Sequence, residues 1–462
     1  MSDLDAVLAR IDADLDASLE RLFALLRIPS ISTDSAYAAH CRAAAESLRA
    51  DLASLGVGAQ VREVPGAHPS VVGRIDGPAG TPHALFYGHY DVQPVDPLSL
   101  WETPPFEPRI AETPDGRKII VARGACDDKG QVMTFVEACR AWKAVTGKLP
   151  IGITFLIEGE EENGSRGLPA FVAAIKDELA ADLALVCDTG MWDPNTPAIT
   201  ASLRGLVYTE VVVRAADRDL HSGLFGGAAA NPIHILSRIV ADLHDAEGRV
   251  TLDGFYDGVA EPPEEVRERW HALGLTAEGF LGQVGLARPV GESGRMVIEQ
   301  IQSRPTCDVN GIVGGYTGEG TKTVIAAEAR AKISFRLVGD QDPEAVANAL
   351  EAHVAARIPE DCRYELIRYK GSRAIALPYD SPALAKASQA LAAEWQVEPV
   401  VIGSGGSIPI VGTFKSTLGL DSVLVGFGLD DDRVHSPNEK YDLRSFHKGI
   451  RSWARILAAL GE

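Results

Sequence analysis

The chain has no uninterrupted apolar run near ~18 residues, so no membrane-spanning helix is expected. Basic residues are in deficit: 44 Lys and Arg stand against 64 Asp and Glu, for a net charge of −20. Nucleic acid and anionic membrane surfaces both need a basic face, so neither is expected as a partner. No CxxC spacing occurs among the six cysteines, Cys41, Cys126, Cys139, Cys187, Cys307 and Cys362. Scattered thiols in a chain of this size indicate reduced, mostly buried residues and a cytoplasmic location. Cys126 and Cys187 each precede a candidate metal-site Asp and are read as small buried neighbours, not ligands. The stretch Met1 to Arg27 lacks the charged-then-apolar pattern of a secretory leader and is expected to be a surface helix. Internal repeats and low-complexity segments are missing too.

What is present is an ordinary globular composition, 46% hydrophobic and 23% charged, spread over 462 residues. Single cores stop growing near ~250–300 residues, so two domains are expected. Residues from about Leu15 to Leu55 read as two amphipathic helices broken at Ile28-Pro29-Ser30. Apolar strand runs then alternate with helical patterns: Ala84–Tyr87, Lys118–Val121, a helix over Gln131–Val145, Ile151–Ile157, a helix over Leu168–Leu179, and Asp182–Val186. That rhythm implies a mixed, largely parallel α/β sheet flanked by helices, with ligands bound beyond the carboxyl ends of its strands. After Arg204-Gly205 the pattern becomes α+β: strands Leu206–Val213, Ala326–Leu337 and Tyr364–Tyr369, helices Pro232–Leu243 and Pro343–Ala355, and a polar Pro-containing stretch between. From Ser381 the α/β rhythm returns, with a helix to about Trp395, a strand Val423–Val425 and a final helix Phe446–Leu460. The expected division is a catalytic domain in two segments, 1–203 and 377–462, with an α+β domain inserted at 204–376.

Six residues near strand ends or in Gly-rich loops form a set suited to two divalent ions: His89, Asp91, Asp127, Glu162, Asp188 and His435. Three carboxylates and a bridging hydroxide balance two zinc ions, with both imidazoles neutral. Ions ~3.5–4 Å apart need a shared ligand, and Asp127 is the expected bridge. Asp91, two residues after His89 in an extended segment, is placed to orient that imidazole. Glu160, Glu161 and Glu162 follow an apolar strand run; like charges packed there repel, and a metal relieves them. One should be a ligand and one a general base acting on water. The chemistry alone leaves that division among the three open. Gly315 to Thr323 superficially resembles a phosphate loop, but its Lys322 follows Thr321 instead of a glycine, so it is read as a turn.

Four segments together carry a family resemblance: Gly88-His89-Tyr90-Asp91-Val92, Arg123 to Gly130 (RGACDDKG), Glu158 to Ser165 (EGEEENGS) and Val434 to Glu439 (VHSPNE). They resemble the di-zinc metallopeptidase family of aminoacylase, glutamate carboxypeptidase, succinyl-diaminopimelate desuccinylase and carnosinase-like dipeptidases, and most closely its cytosolic nonspecific dipeptidase branch. The resemblance implies that His89 and Asp188 hold one zinc, Glu162 and His435 the other, and that Asp127 bridges. It also implies that Asp91 orients His89 and Glu161 is the base, with Glu160 at a variable position. Asp219 to Gly223 (DLHSG) resembles the segment whose histidine, here His221, reaches the active site of the partner subunit and stabilises the oxyanion. The inserted domain is then a lid and dimerisation domain, and the protein a homodimer. Asn310, Thr323 and Arg336 lie where the dipeptidases hold substrate, Arg336 having the fork to grip a free carboxylate. Its alternative is a structural ion pair. Gly406 and Ser407, in Gly405-Gly406-Ser407-Ile408-Pro409, resemble the substrate-binding glycine turn. Related dipeptidases often carry an arginine where this chain has Gly403.

The expected activity is hydrolysis of dipeptides or short peptides with a free C-terminal carboxylate, by a two-zinc exopeptidase using a metal-bridging hydroxide and Glu161. Manganese is the alternative metal, since two imidazole ligands disfavour magnesium or calcium. The rival activity is removal of an N-acyl or N-succinyl group at the same centre.

Overall fold

The computed structural model describes residues 2–369, 371–404 and 408–462, the side chain of Pro409 excepted. The chain forms two units: residues 2–201, 377–402 and 409–462 make the first, and residues 202–376 with Gly403, Ser404 and Ile408 make the second.

In the first unit the apolar runs become the middle of a mixed sheet. Its strand order is Gly58–Arg62, Ser70–Ile75, Gly152–Glu158, His83–His89, Leu183–Val186, Ser422–Leu424, Ala198–Leu203. The four strands from Gly152–Glu158 to Ser422–Leu424 are mutually parallel, and antiparallel strands flank them on either side. Nearly every residue of His83–His89 and Gly152–Glu158 is buried, as central parallel strands covered on both faces require. Helix Lys129–Thr146 presents Val132, Phe135, Val136 and Cys139 to this core at helical spacing and stops at Gly147, whose φ of 76° closes it. The Phe86 and Phe135 rings stack at 3.7 Å, and Trp453 of the last helix, Leu443–Gly461, packs edge-on to both.

Two expectations are corrected here. The N-terminal stretch is two helices and not one: Asp3–Ala13 and Leu15–Leu26 keep a largely exposed face and bury Val7, Leu8, Ile11, Leu22, Leu25 and Leu26 in the core. Lys118–Val121 is a strand, but not of the central sheet. It lies in the middle of a separate antiparallel sheet, between Arg109–Glu112 and Lys440–Asp442. A four-residue apolar run fixes a strand but carries no information about which partner it pairs with.

The second unit holds a four-stranded antiparallel sheet in the order Thr306–Gly314, Glu328–Leu337, Gly205–Arg214, Arg363–Arg368. Helices Pro232–Ala241 and Pro343–Ala355 cover one face, burying Val211, Ile333, Phe335, Leu236, Ile239 and Leu350. The stretch expected to be merely polar contains the helices Glu264–Ala272, Ala277–Leu281 and Val297–Gln302. A two-stranded ribbon pairs Leu220–His221 with Val324–Ile325.

Candidate active site

Three candidate residues come from the carboxyl ends of the central parallel strands. His89 is the last residue of its strand, Glu162 lies in a short turn just after Gly152–Glu158, and Asp188 follows Leu183–Val186. Asp127 and His435 arrive from the small antiparallel sheet. Strand Lys118–Val121 leads into the loop of Asp127, and the loop of His435 leads into Lys440–Asp442; Val121 and Lys440 are direct partners. Pairing of those two strands sets two loops side by side that are about 300 residues apart in the chain.

The five side chains form two overlapping sets, His89, Asp127, Asp188 and Asp127, Glu162, His435, with the donor atoms of each set within 4.8 Å of one another. Asp127 belongs to both. Its Oδ1 lies 3.1 Å from His89 Nε2 and its Oδ2 lies 2.9 Å from His435 Nε2. His89 Nε2 is 3.8 Å from Asp188 Oδ2, and His435 Nε2 is 3.2 Å from Glu162 Oε2. His89 is fully buried, yet its Nε2 makes no hydrogen bond. A buried nitrogen aimed without a bond into a ring of carboxylates fits a metal ligand, and a donor set of two imidazoles and three carboxylates suits zinc or manganese.

The electrostatics agree. Burial, then the Asp127 charge, pushes Asp188 up to about 7. Burial dominates at Glu161 as well, which is pushed up to about 7 against the pull of His89. Burial raises Glu162, with Asp127 adding to the effect. His435, bonded to Asp127 and Glu162, is pushed up to about 10. Burial also works on Asp127, but the His435 and His89 rings close to its two oxygens prevail and hold it below the usual carboxylate range. The cluster thus gathers protons where a divalent cation would supply the positive charge.

Asp91 does more than the sequence suggested. Its Oδ1 lies 3.4 Å from His89 Nδ1, but the nearer acceptor, at 3.1 Å, is its own backbone carbonyl. The carboxylate instead accepts the backbone N–H groups of Glu161 at 3.2 Å and Glu162 at 3.0 Å, fixing the turn that carries both glutamates. Glu160 turns elsewhere, accepting from the His68 backbone N–H and the Asn163 side chain. Three supporting residues escaped sequence reasoning. Gln93 donates to Glu162 Oε2 at 2.7 Å. Asp128, fully buried, accepts the His89 backbone N–H at 3.0 Å. Glu439, also fully buried, accepts from Arg123 and from three backbone N–H groups of the Asp127 loop. Only the recurrence of acidic residues beside glycines in the motifs hinted at such roles.

The other candidate residues belong to the second unit. His221, exposed at the end of its ribbon strand, accepts the Gly223 N–H at Nδ1, which in the neutral ring leaves the proton on Nε2. Thr323 is close by, its carbonyl accepting from Ser222. Asn310 sits at the bulge where the register shifts between Val309 and Gly311. Arg336 is half-buried and directly across from Leu206, and it makes no ion pair among the described residues. Arg204 is close enough for the two charges to repel: burial and then Arg336 bring its guanidinium down to about 10. Gly406 and Ser407 lie outside the described residues. At Gly403 a Cβ would meet Ser202 Oγ at 2.7 Å and the Gln302 carbonyl oxygen at 3.2 Å, so a side chain there would be crowded. All six cysteines are free and buried. No helix among the described residues is long and apolar enough to cross a membrane.

The chain resembles known peptidases along most of its length. Residues 85–459 match the model of peptidase family M20/M25/M40. The Cys-Gly metallodipeptidase DUG1 of Candida albicans is 30% identical, over 96% of this chain and 94% of its own. The human Beta-Ala-His dipeptidase is 30% identical over 82% of this chain and 74% of its own. Among solved structures, the M20 family metallo-carboxypeptidase Sso-CP2 of Sulfolobus solfataricus superposes with a TM-score of 0.78 at 31% identity, covering 96% of this chain and 99% of the other. The chain belongs to peptidase family M20/M25/M40 and is a metal-dependent peptidase.

Proposed function

We propose that the protein is a two-metal dipeptidase that hydrolyses dipeptides or short peptides with a free C-terminal carboxylate, with zinc as the metal and manganese as a substitute. The observation that carries this reading is Asp127, whose two oxygens each lie close to a different histidine. His89 and Asp188 would complete one ion's ligands, Glu162 and His435 the other's, with Asp127 shared. When bound, such a pair of ions supplies Lewis acidity to the scissile carbonyl and acidifies water.

The chain's own residues do the rest. Glu161, half-buried among like charges and held through its backbone by Asp91, is poised near neutrality to take a proton from water and pass it to the departing amine. Asp91 keeps that turn and the His89 ring in place. Arg336, with Arg204 beside it, offers a cationic grip for the substrate's carboxylate, alongside Asn310 and Thr323. The partner subunit's His221 would donate from Nε2 to the oxyanion. A homodimer is supported by the edge strand Thr306–Gly314, which exposes Val309, Ile312 and Val313. Free buried thiols agree with a reducing, cytoplasmic setting.

The test is metal content together with hydrolysis of a small panel: dipeptides beside N-acetyl and N-succinyl amino acids. Near two metals per chain with dipeptide cleavage that a chelator abolishes is the expected result. Cleavage of N-acyl substrates alone would move the protein to the deacylases, and no metal with no rescue by zinc or manganese would overturn the reading.

A further inference from the structure

One buried carboxylate outside the metal set ties the two distant ligand loops together. Glu439 is fully buried, four residues after His435 and two before the middle of the strand Lys440–Asp442. Its two oxygens take four donors. Oε2 accepts from Arg123 Nη1 at 2.7 Å and from the Gly124 N–H at 3.0 Å. Oε1 accepts from the N–H of Cys126 at 3.0 Å and of Asp127 itself at 3.1 Å. Its backbone carbonyl accepts a fifth bond, from the Ala122 N–H at 3.2 Å. Arg123, 1% exposed, is held in turn by the Pro94 carbonyl at 3.0 Å and lies over the Trp101 ring. Every polar edge of this carboxylate is spent on the loop that presents Asp127. That is far more than packing needs, because a buried ion pair gives little net stability by itself.

The two candidate ion positions depend on this link unequally. His89 is the fully buried end of a central strand, and Asp188 follows another, so the rigid sheet sets one position. His435 is more than half exposed, in a loop where it adopts φ of 64° between Arg433 at 55° and Asn438 at 61°. These left-handed conformations cost energy in non-glycine residues and persist only when the flanking chain enforces them. Behind His435, Glu439 supplies that enforcement, and it holds the backbone of Asp127 in the same grip.

We propose that Glu439 is a positioning residue that couples the Asp127 and His435 loops, so that occupancy of the ion position formed by Asp127, Glu162 and His435 depends on it, while the position formed by His89, Asp127 and Asp188 depends on it far less. This rests on the two-metal reading above. Glu439→Gln tests it: an amide offers one acceptor oxygen where two are used, and turns an NH2 group toward N–H donors. The readout is calorimetric titration of metal-free protein with zinc, with circular dichroism to show that the variant is folded. The expected result is two ions bound by the wild type and, in the variant, one retained with near-unchanged affinity while the other weakens by roughly 10–100-fold. Two ions bound as in the wild type, or equal weakening of both, would overturn the inference while leaving the two-metal reading intact. A wild type that binds a single ion would overturn both. Should Glu439→Gln not fold, Glu439→Asp, too short to reach both sets of donors, is titrated instead against the same two outcomes.

Discussion

Glu161 is the side chain on which turnover is expected to depend most directly, because it is a half-buried carboxylate raised to about 7 beside the two candidate ligand sets and belongs to neither. Glu161→Gln is expected to keep both ions and lower kcat by roughly 10²–10⁴-fold. Near-wild-type turnover at full metal content would remove Glu161 from the mechanism. The neighbouring titrations give a second expectation. Before an ion can bind, His435, raised to about 10, and Asp188, raised to about 7, must each give up a proton. Metal affinity therefore rises with pH through about 7 and on to about 10, and binding near neutrality releases protons to the buffer. Calorimetry in two buffers of different ionisation enthalpy reads the release; an enthalpy independent of buffer contradicts it. At this scale the sequence picked out residues that the fold brings together and was blind to what holds them there. His89, Asp127, Glu162, Asp188 and His435 stand in motifs with glycine and strand runs beside them. Gln93, Asp128 and Glu439 act on backbone N–H groups and on other side chains across loops, and such bonds leave no spacing pattern to read.

At the scale of elements, the turn from Cys126 into helix Lys129–Thr146 is packed to its limit. A Cβ at Gly130 would come within 1.9 Å of the Ala125 carbonyl oxygen and 2.9 Å of the Tyr441 ring. Gly130→Ala must therefore push the helix start away from the loop that presents Asp127. The expected cost is about 1–3 kcal/mol of stability, with weakened metal binding. A variant that melts and binds metal like the wild type would show that this approach is not needed. Strand and helix existence was largely legible in the first unit, where apolar runs and helical periodicity were strong. Pairing was not: Lys118–Val121 reads like its neighbours in sequence but joins a different sheet, and only the distant Lys440–Asp442 explains why. The helix Glu264–Ala272 escaped for another reason. It buries only Val266 and Trp270 along a charged sequence, so it offers no stripe to recognise.

For the whole molecule, the sharpest expectation concerns the two copies. If the partner subunit's His221 completes each site, two inactive variants should rescue one another. Mixing His221→Ala with Glu161→Gln protein and letting the dimers exchange should restore about a quarter of wild-type activity, since half of the dimers are mixed and each has one complete site. No recovery in a mixture shown to contain mixed dimers would place His221 outside the partner's site. The exposed Ile312 and Val313 on the edge strand give the matching structural handle.

The pairing of Val121 with Lys440 also has a bearing on how the protein is made. His89, Asp127 and Asp188 have all left the ribosome while His435 and Glu439 are still roughly 250 residues away, which is roughly 10–50 s of synthesis at 5–20 residues per second. Through that interval the Asp127 loop has neither of its C-terminal anchors, and the strand Lys118–Val121 presents an open edge awaiting its last partner. A chain released before His435 keeps the three candidate ligands His89, Asp127 and Asp188 and lacks the histidine that would complete the other set, so synthesis order alone separates a one-ion product from the finished centre.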